Sequence, residues 1–133
     1  MLKNINILGF YVSDIGATVD FYSKIGFQKT RQDGNFTEMM LGPMKLRFNA
    51  KETAREQDAS FHKDAFGEPK GLGLYINIEV EGIDDHYQSL IGKGLKPSTT
   101  PRNWPWGHRE FVIRDPDGYK IVFYEITNGS IRR

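Results

Sequence analysis

The stretch VSDIGATVDFYSKIGF, residues 12–27, decides the fold because VEGIDDHYQSLIGKGL, residues 80–95, repeats its pattern. In each copy the apolar residues recur at helical spacing, and a glycine follows the last turn, as is usual at helix ends. The matched positions lie 68 residues apart and are Val12 with Val80, Ile15 with Ile83, Gly26 with Gly94, and Phe27 with Leu95. The repeat predicts one helix between two strands, present twice in the chain.

The residues that flank each copy predict the remaining strands. In the first half, segments rich in β-branched and aromatic residues cover 5–12, 27–31, 36–41 and 44–48, with turn signals at 33–34 and 42–43. In the second half they cover 74–80, 95–98, 109–114 and 119–125, with a turn at 117–118. The closing hairpins correspond at a shift of 76, which matches Gly42 with Gly118 and Phe48 with Tyr124. We predict an α+β fold of two βαβββ units, forming an open curved sheet around a cleft with the helices outside.

The length of 133 residues suits a single domain, 1–133. Within it, residues 1–49 form the first unit and residues 72–133 the second. Residues 50–71 are polar and have no sustained hydrophobic periodicity, which predicts a linker.

Composition excludes several classes of function. The 18 basic and 17 acidic residues give a net charge of +1, whereas a nucleic-acid binder usually shows a basic excess. The absence of cysteine excludes disulfides and thiolate chemistry. No apolar run is long enough to span a membrane, and the first residues lack the features of a secretory signal. We expect a cytoplasmic protein without a membrane or nucleic-acid partner.

The segment PWGHREFVIRDPDG, residues 105–118, resembles the vicinal oxygen chelate superfamily. That superfamily includes glyoxalase I, extradiol dioxygenases, fosfomycin resistance enzymes and bleomycin resistance proteins. The Trp-Gly-x-Arg-Glu-Phe run followed by Asp-Pro-Asp-Gly is most similar to the bleomycin resistance branch. The first strand and helix, residues 12–27, also resemble the family, so the similarity covers nearly the whole chain outside residues 50–71.

The resemblance implies where a metal would be bound, because the metal enzymes of the superfamily place one ligand in each of four strands. Counting from the first helix and from the two hairpin glycines, the matching positions are Ile7, Leu46, Tyr75 and Val122. None of these offers the imidazole or carboxylate donors that zinc and iron sites use. His62, His86 and His108 share no close spacing. We therefore predict no metal and no other cofactor.

The predicted cleft has apolar and aromatic walls with a few polar groups, as small-molecule pockets usually do. Strand alternation places Tyr75, Asn77 and Glu79 on the face away from the helix, although solvent exposure or core packing would explain them equally. Alternation also sends Arg109 and Glu110 to opposite faces, without fixing which one meets the cleft. The catalytic residues are unknown, and the candidate ligand-binding residues are Phe48, Tyr75, Asn77, Glu79, Trp104, Trp106, Arg109 and Tyr124.

Two functions remain open at this point. The first is a metal-independent protein of the glyoxalase and bleomycin resistance type, which holds a small planar or aromatic molecule in a cleft at a homodimer interface, as the resemblance implies. Bleomycin itself is cationic and would favour an acidic groove, whereas this chain is nearly neutral. The alternative is a glyoxalase-like lyase or dioxygenase-like enzyme with a non-standard or absent metal site, in which Glu79, Glu110 or His108 could transfer protons.

Overall fold

The structure, a computed structural model, describes residues 1–53, 64–68 and 70–127. The chain divides into two compact units, Met1–Lys70 and Gly71–Arg133. Half of the predicted linker over 50–71, including His62, lies outside the described residues. Within the described part, no helix is long and apolar enough to cross a membrane.

The first unit contains one four-stranded sheet and a helix between its first two strands. Its elements are β1 (Leu8–Val12), α1 (Ile15–Ile25), β2 (Gln28–Asp33), β3 (Phe36–Leu41) and β4 (Met44–Ala50). The strand order is β1-β4-β3-β2, in which β1 runs parallel to β4 and the other pairs are antiparallel.

The second unit repeats this topology. Its elements are β5 (Ile76–Glu79), α2 (Ile83–Gly92), β6 (Arg102–Asn103), β7 (His108–Arg114) and β8 (Lys120–Ile126). The order β5-β8-β7-β6 matches that of the first sheet, with β5 parallel to β8. The predicted α+β class and the two βαβββ units are confirmed, and the strands form two four-stranded sheets.

The two helices begin in different ways. The side chain of Asp14 accepts a hydrogen bond of 3.0 Å from the Ala17 N–H and caps α1. The repeat places Gly82 at the corresponding position of α2, where no side chain of its own can cap. Glu125 of β8 takes over this role, because its carboxylate accepts from the N–H groups of Gly82 at 2.7 Å and Ile83 at 3.1 Å.

Each helix packs its apolar side against one face of its sheet. In the first unit the Tyr22 ring lies 4.6 Å from the ring of Phe48, which also meets Phe10 at 5.6 Å. In the second unit Phe111 and Phe123 stack at 5.1 Å beneath α2. We call the opposite side of each sheet its far face; in the second unit Tyr75, Asn77, Glu79, Glu110, Val112, Lys120, Val122 and Tyr124 lie on it.

The registers of the two sheets correct two predictions. Leu8 pairs with Leu46 and Ile76 pairs with Ile121, so the counterpart of Leu46 is Ile121, not Val122. The predicted shift of 76 between the closing hairpins is therefore one residue too long. Because side chains alternate along a strand, a slip of one residue reverses the face. Leu46 and Phe48, predicted to face the cleft, are fully buried on the helix side.

The strand predicted over residues 95–98 is also wrong. The Leu95 N–H bonds back to Leu90 at the end of α2, and Pro97 has no N–H to give to a ladder. Ser98 makes one backbone bond of 2.7 Å to Val112, whereas the paired strand β6 begins only at Arg102.

Candidate ligand-binding site

A cavity of about 710 Å³ lies on the far face of the second sheet. Its lining comes from the four strands of this unit and from the segments on either side of β6. The lining residues are Tyr75, Asn77, Thr99, Thr100, Arg102, Trp104, Trp106, Glu110, Phe111, Val112, Lys120 and Val122.

The middle of this face is apolar. Val112 of β7 pairs with Val122 of β8, and Val122 pairs on its other side with Asn77 of β5. Glu110 lies toward one end of this floor, directly opposite Tyr124, and Lys120 lies toward the other end. Lys120 and Tyr124 are four residues apart on one strand, a separation of about 13 Å at the usual rise per residue. The two ends of the cavity thus carry different charges.

Two tryptophans form a flat wall beside this floor. The rings of Trp104 and Trp106 stack with centroids 4.7 Å apart and planes inclined by 13°. A tight turn produces the arrangement, since the Gly107 N–H bonds to the Trp104 carbonyl at 3.1 Å and Gly107 adopts a φ of 87°. A side chain at this φ would be strained, so the turn favours glycine.

The stacked pair is held at both ends. The guanidinium of Arg102 lies 3.9 Å from the centre of the Trp104 ring, within cation–π range. At the other end, the indole N–H of Trp106 donates a hydrogen bond of 3.1 Å to Oε2 of Glu110. The rings are therefore positioned before any ligand arrives.

Glu110 is the centre of a chain of polar and aromatic contacts. Its Oε2 also lies 3.0 Å from Nδ1 of His108, so an ionised Glu110 places the imidazole proton on Nδ1. The His108 ring stacks on Tyr124 at 4.4 Å, and the Tyr124 hydroxyl donates to Glu79 across 3.5 Å. These contacts link the tryptophan wall to β5, the strand at the opposite edge of the sheet.

The structure brings together most of the predicted site residues. Tyr75, Asn77, Trp104 and Trp106 line the cavity. Glu79 and Tyr124 lie next to it on the same face, through the contact with His108. Phe48 does not belong to this group, because it is part of the core of the first unit.

Arg109 is the second predicted residue that lies elsewhere. It lies on the helix side of β7, where Nη2 pairs with Oδ1 of Asp84 in the first turn of α2 at 2.9 Å. Its Nη1 also donates to Asn103 at 3.2 Å. Glu110, its neighbour in sequence, is the one of the two that faces the cavity.

Sequence reasoning missed six residues of the cavity lining, which are Thr99, Thr100, Arg102, Phe111, Val112 and Lys120. Thr99 and Thr100 lie between β6 and residues 95–98, which were predicted to form a strand. The Thr99 hydroxyl accepts the Val112 N–H at 2.9 Å in place of a backbone partner. Lys120 could have been predicted from the sequence, because it lies two positions before Val122 and strand alternation puts both side chains on one face.

The residues at the family's metal positions do not fit a metal. Ile7 and Val122 have no donor atom, and a neutral Tyr75 is a poor ligand. In β4 the far-face residue is Arg47 instead of Leu46, and a guanidinium cannot ligate a cation. Within residues 1–53, 64–68 and 70–127 there is no group of three or more His, Asp, Glu or Cys side chains able to hold a metal ion.

Comparison with known proteins identifies the family of this chain. The chain belongs to the Glyoxalase/Bleomycin resistance protein/Dioxygenase superfamily, whose family model matches residues 4–123. A bleomycin resistance protein of Geobacillus stearothermophilus is 30% identical over 131 residues, which cover 94% of this chain and 97% of the relative. The predicted family resemblance is thereby confirmed.

Solved structures show the same fold. A glyoxalase/bleomycin resistance protein/dioxygenase from Nocardioides matches with a TM-score of 0.81 at 22% identity, covering 98% of this chain and 88% of that one. A family enzyme from Burkholderia phytofirmans matches with a TM-score of 0.76 at 20% identity, covering 91% of this chain and 97% of that one. At these sequence identities the two structures support the fold only.

Proposed function

We propose that this protein is a metal-independent small-molecule-binding protein of the glyoxalase and bleomycin resistance type, with a planar or aromatic ligand held in the cavity of the second unit. The observation that carries the proposal is the stacked pair Trp104 and Trp106 beside the floor of Val112 and Val122. Flat aromatic faces stack well on planar molecules. The cavity volume of about 710 Å³ also falls in the range of small-molecule pockets, roughly 300–1,000 Å³.

The polar groups at the edge of the cavity would orient such a ligand. Asn77 offers an amide beside the apolar floor, and Thr100 lies in the lining segment before β6. A few polar groups of this kind around an apolar surface give specificity, while the rings supply most of the buried area. Binding of this type needs no chemical step.

In a cell, we propose that such binding lowers the free concentration of a toxic planar compound and so gives antibiotic resistance. The relative from Geobacillus stearothermophilus is named for resistance to bleomycin. Bleomycin is a cation, however, and Arg102 and Lys120 in the lining disfavour it. The proposed ligand is therefore a different planar compound, encountered in the cytoplasm.

We also propose that the protein is a homodimer with the cavity near the subunit interface. Three apolar residues beside the cavity support this, since Leu72 is 75% exposed, Leu74 52% and Tyr75 59%. A cluster of this kind often marks a protein interface. Sedimentation velocity should give the mass of a dimer for the wild type and of a monomer for Leu74→Asp; a wild-type monomer at micromolar concentration would contradict this part.

A second candidate is a metal-free enzyme of the glyoxalase-like or dioxygenase-like kind. One specific observation favours it: Glu110 and His108 lie 3.0 Å apart at the edge of the cavity, a geometry suited to proton transfer. We favour binding because Oε2 of Glu110 already serves two protein donors and the His108 ring is stacked on Tyr124.

Fluorescence titration tests the proposal directly. The chain has 2 tryptophans, and both line the cavity, so indole emission reports on this site. EDTA-treated protein should show saturable quenching by planar aromatic compounds with one molecule bound per chain, and chromatography should recover each compound unchanged. Binding that requires stoichiometric metal, measured by plasma mass spectrometry, would exclude the proposal; conversion of the compound would favour the enzyme.

A further inference from the structure

We propose that the ligand of this cavity is an anion, a planar aromatic carboxylate or similar oxyanion, whose acidic group is bound by Lys120. This inference rests on the proposed function and adds the charge and orientation of the ligand. The ring system would lie on the valine floor beside the tryptophans, with the negative group toward the start of β8.

The charges of the lining support an anion. The cavity lining contains two cations, Arg102 and Lys120, and one carboxylate, Glu110. Glu110 is already engaged, since it accepts from the Trp106 indole at 3.1 Å and lies 3.0 Å from Nδ1 of His108. A ligand therefore meets more positive than negative charge in this cavity.

Among the described residues, no carboxylate neutralises either cation in an ion pair. Each lies over a ring instead, Arg102 at 3.9 Å from the Trp104 centroid and Lys120 at 5.7 Å from that of Tyr75. A cation–π contact leaves N–H donors of the cation available for an oxyanion.

The position of Lys120 favours it over Arg102 as the main partner. Lys120 is half-buried, whereas Arg102 is exposed. Lys120 also lies two residues before Val122 on the same face, so its ammonium group can reach the edge of the apolar floor. Asn77 pairs with Val122 in the next strand and adds amide donors close to the same place.

The end of the cavity at Trp106 and Glu110 favours the ring system of the ligand over its negative group. There Trp106 and Glu110 are hydrogen-bonded to each other, and the stacked indoles present a flat apolar surface. The charges at that end balance, because Arg102 in β6 pairs in register with Glu110 in β7, so an acidic group meets no net positive charge there. The ends of the cavity thus define one orientation of a planar acid.

Calorimetric titration with three naphthalene probes tests the charge of the ligand. The probes are 2-naphthoate, 2-naphthamide and 2-naphthylmethylammonium, which share the ring and differ in charge. With EDTA-treated wild-type protein we expect naphthoate to bind about fivefold more tightly than the amide, the gain typical of a solvent-accessible ion pair. The ammonium compound should bind most weakly.

A charge variant tests the role of Lys120. Lys120→Met keeps most of the unbranched side chain but removes its charge, and it should weaken naphthoate about fivefold, with less than about a twofold effect on naphthamide. Lys96→Met is the matched control, because it makes the same change of net charge at an exposed residue outside the lining. Circular dichroism of both variants establishes that they are folded.

The outcomes separate the inference from the proposed function. Equal affinities for the three probes would overturn the inference and leave the binding function standing. An equal loss of naphthoate affinity in the Lys120 and Lys96 variants would overturn the assignment to Lys120. Failure of all three probes to bind would contradict the proposed function together with the inference.

Discussion

The indole N–H of Trp106 and the carboxylate of Glu110 are joined by a hydrogen bond of 3.1 Å, which fixes one ring of the stacked tryptophan pair. An isolated tryptophan on a loop would lose side-chain freedom when a ligand bound. Here the bond to Glu110 has already restricted Trp106, so less conformational entropy is lost on binding. The bond is therefore a direct target for mutation.

Replacing Trp106 should weaken ligand binding more than replacing Trp104. Trp106→Phe keeps a flat ring but removes the donor to Glu110, and we expect planar aromatic ligands to lose up to about tenfold in affinity, because immobilising a freed side chain on binding costs about 0.5–1.5 kcal/mol. Trp104→Phe is the matched control, since the ring stays and Glu110 keeps its partner. Calorimetry gives both affinities, and equal losses in the two variants would show that the bond has no role.

The ion pair of the buried Glu38 with the partly exposed Arg47 should stabilise the first unit. Glu38 is only 5% exposed, and Nη2 of Arg47 donates to its Oε1 at 2.7 Å. Arg47→Met leaves a buried carboxylate without this partner, and we expect a loss of about 1–3 kcal/mol in the free energy of unfolding by urea. Arg31→Met is the control, because Arg31 lies 3.9 Å from Glu38 and its side chain is 63% exposed. Equal effects of the two variants would contradict the importance of the pair.

The same pair makes stability depend on pH. The hydrogen bond from Arg47 lowers the pKa of Glu38 below its usual value of 4.5, against the opposing effect of burial. A lowered pKa means that the unfolded state takes up protons first, so the contribution is complete above pH 4.5 and declines as the pH falls below it. Arg47→Met should flatten this decline in urea titrations between pH 6 and pH 3.

The cap that Glu125 supplies to α2 should be needed for the stability of the second unit. Its hydrogen bonds from the N–H groups of Gly82 and Ile83 lower the pKa of the Glu125 carboxyl below 4.5. We expect the melting temperature at pH 7 to fall in Glu125→Gln and further in Glu125→Ala, because both remove charge from the helix N-terminus. The wild-type advantage is lost as the pH falls below 4.5, so the three curves should converge in acid.

Glu81→Gln provides the control for the cap, since Glu81 is exposed and lies next to the helix start in sequence. It should leave the melting temperature nearly unchanged. If Glu81→Gln and Glu125→Gln lowered it equally, general charge and not the cap would be responsible.

His86 should destabilise the protein as the pH falls below 6.5. Burial lowers the pKa of His86 from its usual 6.5, with a smaller effect from Lys93, and Nε2 has no hydrogen-bond partner among the described residues. The unfolded state therefore binds the proton more readily, and stability declines from pH 6.5 downward. His86→Phe keeps the ring contact with Phe123 and should remove this decline. An unchanged pH dependence in the variant would contradict the assignment.

Much of the fold could be predicted because local signals agree with the tertiary structure. Asp14 and Gly26 mark the ends of α1 by their own chemistry, since a carboxylate caps the first turn and a glycine follows the last one. At the start of α2, by contrast, the repeat has Gly82, and the cap comes from Glu125, which is distant in sequence. No local sequence pattern predicts a helix cap from a residue so distant in the chain.

The site was harder to predict, for a reason that lies in strand geometry. The helix repeat extends correctly to β1 and β5, but the closing hairpins differ in length, with two residues between β3 and β4 and five between β7 and β8. A shift taken from the glycines alone is wrong by one residue, and this placed Phe48 on the wrong face. The faces of Arg109 and Glu110 could not be assigned without the register of β7, which its pairing with β6 and β8 supplies.

The most direct test of ligand binding in this cavity uses the two indole N–H signals in a ¹H–¹⁵N correlation spectrum. Trp104→Phe assigns them, because the remaining signal belongs to Trp106. A saturating planar aromatic acid, added to EDTA-treated protein, should shift both indole signals along one binding curve. Indole signals that stay in place while other resonances move, or that move only after metal is added, would contradict metal-independent binding in this cavity.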